Sequence, residues 1–298
     1  MTTPAAGRGN VGIFFHRRVE ESRRLGEALV AMLDGLGARS QLLDAWESRE
    51  LLADRLIGLD WAAVLGGDGT MLRIVGLLAP LGIPVLGVNF GRLGFLTEIP
   101  PAEAEAALSR VLAGEGRVED RLMLEAGATI DLQPVLNASG ARRDGTPPLA
   151  AGVRGVGVND VFIGRGGVAH AVRLELAIDG QPLLRLTADG LVLASPTGSS
   201  AYSLSAGGPI VEPRMSAIVL TPVVPHPVPV RALVLPGDAV VTVTVRTEEE
   251  AILSLDGQRH YRLPDGATVR VAAHPRPARF LRLGDPAGYY GTMVQRLG

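Results

Sequence analysis

Trp61 to Leu78 limits the fold more than any other stretch of the chain. An apolar run, Ala62 to Leu65, ends in Gly66-Gly67-Asp68-Gly69-Thr70, and Met71 to Leu78 then carries apolar residues at helical spacing. The pattern reads as a buried parallel strand, a tight turn and a helix start. Glycines let another group approach the backbone, and free N–H groups at a helix N-terminus attract phosphate. Gly66, Gly67, Gly69 and Thr70 therefore form the candidate phosphate-binding loop. An acid in that place would repel phosphate, and a role facing a hydroxyl resolves this, so Asp68 is the candidate proton acceptor. The ordinary structural alternative is a sharp strand-to-helix turn with Asp68 or Thr70 as a helix cap. The stretch matches neither G-x-x-x-x-G-K-[ST] nor G-x-G-x-x-G. No lysine occurs in the chain, so cationic help with phosphate must come from arginine, histidine or a metal ion.

Around this unit, strand and helix alternate. Val11 to Phe15 is a short apolar strand, and Val19 to Leu36 carries Leu25, Leu29, Met32 and Leu33 at helical spacing before Gly37. Ser40 to Leu43 and Ile83 to Asn89 read as further strands, and Pro101 to Leu112 as a helix. Such alternation argues for a parallel sheet covered on both faces, with ligands at the carboxyl ends of its strands. That edge would hold both the glycine-rich turn and Asn89-Phe90-Gly91-Arg92-Leu93-Gly94-Phe95-Leu96.

After about residue 118 the pattern changes to short strands, among them 122–130, 155–163, 172–178, 183–186, 191–194, 217–221, 239–246, 251–255 and 267–272. The fold class is thus an α/β domain with a parallel sheet over 1–118 and a mostly-β domain over 119–274. The segment from about 275 to 298 is too apolar for a free tail and is expected to pack back on the first domain. Residues 137–151 are polar and rich in Gly, Pro and Arg, an exposed loop. The chain has 298 residues, enough for two domains. Its formal charge of -2 gives no general pull toward nucleic acid or an anionic membrane. The long uncharged runs are broken by prolines such as Pro80, Pro84, Pro222 and Pro225, so no membrane span is expected. With no cysteine and no signal-peptide core at the N-terminus, a cytoplasmic enzyme is the expectation.

Four further stretches carry chemistry. Asp189 to Pro209 is dense in hydroxyls and glycines: Thr197, Ser200, Ala201, Tyr202, Ser203, Leu204 and Ser205 offer hydroxyls, backbone groups and one ring that suit the edge and face of a purine or nicotinamide. A Ser/Gly-rich loop capping a short helix is the bland reading. Asn159-Asp160 places two adjacent polar groups inside a strand-like run, either a strand end or a grip on vicinal ribose hydroxyls. His170 could contact phosphate or ribose, although a lone histidine is more often a surface or core residue. Thr221 to His226 reads as a proline-ruled connection, and Asp256-Gly257-Gln258 could be only a hairpin turn.

Taken together, and in this order along the chain, these stretches resemble the NAD kinase family. The resemblance spans roughly residues 11 to 297 and is most specific over Asp189 to Pro209; the first motif is shared with diacylglycerol, sphingosine and phosphofructo-kinases. It implies transfer of the ATP γ-phosphoryl group to the 2′-hydroxyl of the adenosine ribose of NAD. Asp68 would accept the proton, Gly69 would lie against the dinucleotide, and Arg73 would stand near phosphate. Asn159 and Asp160 would hold ribose hydroxyls, with Asp160 where the family commonly has glutamate. His170 matches a family ligand position, Asp189 would accept from the carboxamide, and Gln258 would complete the dinucleotide site. Thr197 and Ser200 to Ser205 would line the base pockets, Ser200 replacing the usual threonine. Thr187 stands where a basic residue is common. Mg²⁺ or another divalent cation would be held mainly by the ATP phosphates, with polyphosphate open as an alternative donor. The resemblance also implies a homodimer or homotetramer. A lipid kinase of the diacylglycerol type and a non-catalytic NAD(P)-binding sensor are the rival expectations.

Overall fold

The computed structural model describes residues 9–91, 94–135, 149–152, 154–167, 171–226, 230–285 and 288–297. His170, Arg92, Leu93 and most of the 137–151 loop lie outside the described residues. The chain divides into two compact units, one formed by residues 1–120 with 278–298 and the other by residues 121–277.

The first unit begins with β1 (Asn10–Phe15), α1 (Glu20–Gly35), β2 (Arg39–Asp44), α2 (Arg49–Leu56), β3 (Trp61–Gly66), α3 (Asp68–Leu78), β4 (Val85–Asn89), α4 (Ala104–Leu112) and β5 (Arg117–Arg121). Buried residues of α1 recur at Ser22, Gly26, Leu29 and Leu33, one stripe of a helix, and Glu20 and Glu21 in its first turn suit the positive end of its dipole. Pro101 opens α4 through a single 3₁₀ turn, Pro101–Glu103. Strand β3 is buried at every position, which is why its sequence shows an apolar run instead of alternation.

The sheet runs β2-β1-β3-β4-β18-β5, where β18 is the strand Ala278–Arg282 near the C-terminus. Pairs β1/β2, β1/β3, β3/β4 and β4/β18 are parallel. Chain order reverses direction at β1/β3, the switch point at which open parallel sheets take ligands beyond the carboxyl ends of their strands. Gly66 ends β3 and Asn89 ends β4, directly paired in the register. The helix α6 (Gly288–Leu297) closes the chain.

The second unit contains β6 (Leu124–Ala128), β7 (Arg154–Gly157), β8 (Asp160–Arg165), β9 (Val172–Ile178), β10 (Gln181–Ala188), β11 (Gly190–Ala194), the one-turn helix α5 (Tyr202–Ser205), β12 (Ala217–Val223), β13 (Leu233–Pro236), β14 (Val241–Arg246), β15 (Ala251–Leu255), β16 (Arg259–Leu263) and β17 (Thr268–Ala273). They form two six-stranded antiparallel sheets, β10-β9-β14-β17-β6-β7 and β13-β12-β11-β8-β15-β16. A core of Leu, Val, Ile and Ala from both sheets fills this unit. The other face of the second sheet is covered too, by Val211 packed with Val192, Ala194, Ala217 and Val219. Strand β11 is therefore buried throughout, which is why Leu191 to Ala194 reads as a plain apolar run.

Candidate active site

In the first unit, Asp68 is the first residue of α3 and Gly67 is its N-cap, in extended conformation with no side chain to cap the helix. The Asp68 carboxylate is instead fixed by another loop. Phe95 N–H donates to Oδ2 at 2.9 Å and Leu96 N–H to Oδ1 at 3.2 Å. The loop can come this close because residue 94 is glycine: a Cβ there would stand 2.0 Å from Asp68 Oδ1. Behind the loop, Arg282 Nη1 donates to the Leu96 carbonyl at 3.1 Å. That guanidinium is buried and faces Glu98 at 3.5 Å and Glu119 at 3.6 Å, which supply its countercharge.

Gly67 and Gly69 have open space where a side chain would stand. Thr70 and Arg73 depart from the expectation. The Thr70 side chain is buried against Gly66 and supports the turn from inside. Arg73 sends Nε to the Ala45 carbonyl at 2.7 Å and Nη2 to the Glu47 carbonyl at 2.8 Å, and its guanidinium lies over the Trp46 ring at 5.2 Å. A side chain satisfied by two carbonyls and a ring face is holding the segment after β2, so its charge is already engaged.

In the second unit, Asn159 and Asp160 lie at the turn from β7 into β8, where an apolar run would otherwise continue. Every backbone polar group of Val158, Asn159 and Asp160 is paired. The Asp256 carboxylate accepts the N–H of Val158 at 2.9 Å, of Asn159 at 2.7 Å and of Asp160 at 3.1 Å. Ser195 donates from Oγ to the Val158 carbonyl at 2.6 Å and from N to the Asn159 carbonyl at 2.8 Å. Asp256 N–H returns to the Asp160 carbonyl at 3.0 Å. The side chains of Asn159 and Asp160, by contrast, have no hydrogen-bond partner among the described residues, although Asp160 is only 6 % exposed. Burial, and then the Asp256 charge, pushes the Asp160 carboxyl up to about 7. Burial also raises Asp256, against the pull of its three N–H donors and of Arg259. Since both of its oxygens serve as acceptors, the ionised form of Asp256 suits the geometry.

Asp256 was not read as a site residue. Asp256-Gly257 is indeed a hairpin turn, with φ of 54° and 64° and Gln258 N–H closing on the Leu255 carbonyl at 3.0 Å. The same turn carries the carboxylate that organises residues 158–160. Gln258 is half-buried beside it.

Asp189 lies between β10 and β11, and its Oδ2 accepts from Arg165 Nη2 at 3.0 Å. Arg165 escaped the sequence reading, but the register could have shown it: β8 opposes β11 with Gly164 facing Gly190, which puts Arg165 across from Asp189. Thr197 is buried and its Oγ1 has no hydrogen-bond partner among the described residues. Ser200 Oγ reaches only the Thr197 carbonyl at 3.4 Å. Tyr202 is 42 % exposed, with its ring 5.5 Å from Phe162. Burial raises its hydroxyl, and the charges of Asp160 and Asp189 raise it further, so the three residues share one electrostatic neighbourhood. Ala201 and Leu204 are half-buried and Ser205 is exposed on the same turn. Ser203 departs from the expectation: it is fully buried and its hydroxyl is paired with Thr221 Oγ1 at 2.8 Å, so it braces the loop instead of lining a pocket. Thr187 gives its carbonyl to His226 N–H at 2.8 Å.

The chain matches known proteins over most of its length. Residues 16–116 match the family model of the ATP-NAD kinase N-terminal domain, and residues 158–283 that of the ATP-NAD kinase C-terminal domain. An NAD kinase of Heliobacterium modesticaldum is 43% identical over 237 residues, covering 78% of this chain and 77% of the relative. One from Dehalococcoides mccartyi is 35% identical over 288 residues, covering 96% and 95%. Among solved structures, yeast NADH kinase complexed with NADH superposes with a TM-score of 0.82 at 25% identity, over 97% of this chain and 87% of that one. An NAD kinase from Archaeoglobus fulgidus in complex with ATP shares the fold at a TM-score of 0.74 and 24% identity, over 97% of this chain and 100% of that one. With two domain models in sequence order and relatives matched over most of their length, the chain belongs to the NAD kinase family.

Proposed function

We propose that this chain is an NAD kinase that transfers the γ-phosphoryl group of ATP to the 2′-hydroxyl of the adenosine ribose of NAD, giving NADP. The observation that carries most weight is the Asp68 carboxylate, held by one N–H on each oxygen at the carboxyl edge of a parallel sheet. Asp68 takes the hydroxyl proton, and the start of α3, where Gly67 has open space in place of a side chain, receives phosphate. Asn159 and Asp160 hold ribose hydroxyls, since their backbone is paired while their side chains have no hydrogen-bond partner among the described residues. Thr197 Oγ1 and the exposed Tyr202 ring serve the bases, and Asp189, with Gln258 nearby in sequence to Asp256, completes the grip on the dinucleotide.

Phosphoryl transfer asks a protein mainly for positioning and charge neutralisation. Among the described residues, no group of three His, Cys, Asp or Glu is placed to hold a metal ion. A divalent cation bound to the ATP phosphates would supply the neutralisation, and the lysine-free chain would orient that complex. No described helix is long and apolar enough to cross a membrane. The proposed kinase works in the cytoplasm as a homodimer or homotetramer.

A coupled assay tests the proposal. Protein, NAD, ATP and Mg²⁺ are mixed, and NADP is detected with an NADP-specific dehydrogenase, beside Asp68→Asn. Signal from the unaltered chain alone supports both the reaction and the role of Asp68. Signal with polyphosphate in place of ATP changes the donor. Silence with both donors but tight NAD binding overturns the catalytic reading in favour of a sensor.

A further inference from the structure

We infer that Asp256 and Ser195 are positioning residues for NAD: together they clamp the 158–160 turn so that the Asn159 and Asp160 side chains are presented to the ribose. The inference rests on the assignment of those two side chains to ribose hydroxyls. It comes from an asymmetry in hydrogen bonding. Three consecutive residues have all six backbone polar groups satisfied, and only two other residues do it. Asp256 collects the three N–H groups and returns its own N–H to the Asp160 carbonyl; Ser195 takes the other two carbonyls. The two side chains on the turn have no protein partner among the described residues, one of them a carboxyl that is nearly fully buried. A buried polar side chain without a partner is unusual enough to need a ligand or a function.

The clamp is built from distant parts of the chain. Asp256 sits at positive φ on the β15–β16 turn, 96 to 98 residues from its three donors. Ser195 follows β11 and is fully buried. Its Oγ also accepts Gly198 N–H at 3.1 Å, which ties the turn to the hydroxyl-rich loop carrying Thr197. Gly198 has to be glycine, because a Cβ would stand 2.0 Å from the Asn159 carbonyl oxygen. The backbone of the turn is thus fixed from both sides, and the free choice left to it is what the two side chains bind.

Asp256 also sets the charge that Asp160 feels. The Asp160 carboxyl faces Asp256 across the turn, with Arg259 next to Asp256 and the Tyr202 hydroxyl on the α5 side. Removing the Asp256 charge should lower the pH at which Asp160 ionises, whereas removing the Ser195 hydroxyl should leave that pH in place. A purely structural role would not separate the two variants in this way.

The test uses the full chain in the coupled assay with Ser195→Ala, Asp256→Asn and Asp160→Ala. Expected for Ser195→Ala and Asp256→Asn is a rise of about tenfold or more in KM for NAD, the size of one lost geometric constraint on a bound group. Turnover at saturating NAD and KM for ATP should stay within about threefold. In Asp256→Asn alone, the acid limb of the KM profile should move to lower pH. Amide hydrogen exchange of Val158 to Asp160 should accelerate in both variants. If Asp160→Ala leaves KM for NAD unchanged, the ribose assignment itself fails. If Asp160→Ala raises it and neither Ser195→Ala nor Asp256→Asn does, the clamp is overturned. Equal losses for NAD and ATP would also overturn it, and should Asp256→Asn not fold, Ser195→Ala decides alone.

Discussion

The backbone N–H of Phe95 donates to Asp68 Oδ2 at 2.9 Å, so the proposed base is aimed by a backbone group 27 residues further along the chain, beside a position 94 with no room for a side chain. Gly94→Ala would place a methyl carbon 2.0 Å from Asp68 Oδ1 and 2.6 Å from Thr97 Oγ1. A misplacement of about 1 Å in a reacting group can cost on the order of 100-fold in rate. The expected result is a loss of that size in turnover with a folded protein, read by the coupled assay beside circular dichroism.

Replacing the base itself should be cleaner. A positioned general base typically contributes about 10²–10⁴-fold. Asp68→Asn is therefore expected to lower turnover by at least about 100-fold while NAD still binds by calorimetry. Unchanged turnover would remove Asp68 from the proton transfer.

Asp160 makes both stability and NAD affinity depend on pH. Its folded pKa of about 7 lies above the ordinary carboxylate value, so between about pH 4 and 7 the folded chain holds a proton that the unfolded chain has lost. Stability of the ligand-free protein is thus greatest on the acid side of this window and falls as pH rises through it, by on the order of 4 kcal/mol from this one group. Affinity for NAD should run the other way, because a carboxylate that accepts from two hydroxyls must be ionised. Calorimetric titrations are expected to show affinity rising toward pH 7 and levelling above it. Asp160→Asn should flatten both profiles, and a flat profile in the parent chain would contradict the assignment.

Arg73 separates a structural role from a phosphate contact. Its guanidinium donates to the carbonyls of Ala45 and Glu47, and Ala45 is fully buried. Arg73→Ala should therefore destabilise the chain by about 1–3 kcal/mol through an unsatisfied buried carbonyl. Chemical denaturation measures this. A fall in ATP affinity at unchanged stability would return Arg73 to the phosphates.

How much of this was legible in the sequence depends on the range of the interaction. The strand–turn–helix around Asp68 is local, and its glycines and apolar run name it directly. Leu191 to Ala194 also reads as buried, because a strand covered on both faces shows no alternation. Asn159 and Asp160 stood out as polar residues interrupting an apolar run. Asp256 did not, since an Asp-Gly pair is fully explained by a hairpin and nothing local says that its carboxylate reaches back almost a hundred residues. The bracing role of Arg73 was hidden for the matching reason: its position one turn into α3 is local, while the carbonyls it bonds are 26 and 28 residues away. Strands β13 and β16 were missed as short runs beside prolines and charges, settled by pairing rather than propensity.

Strand β18 lies inside the first sheet, between β4 and β5, although it is made from residues 278–282. It also carries Arg282, the side chain that supports the Leu96 carbonyl behind the proposed base. During synthesis, then, the first unit waits with an open seam until almost the whole polypeptide has left the ribosome. A chain released early keeps the edge of β4 bare and lacks the mount for its acid, so truncated products would be sticky and inert at once. Phosphorylating capacity and completed translation are tied together by one five-residue strand.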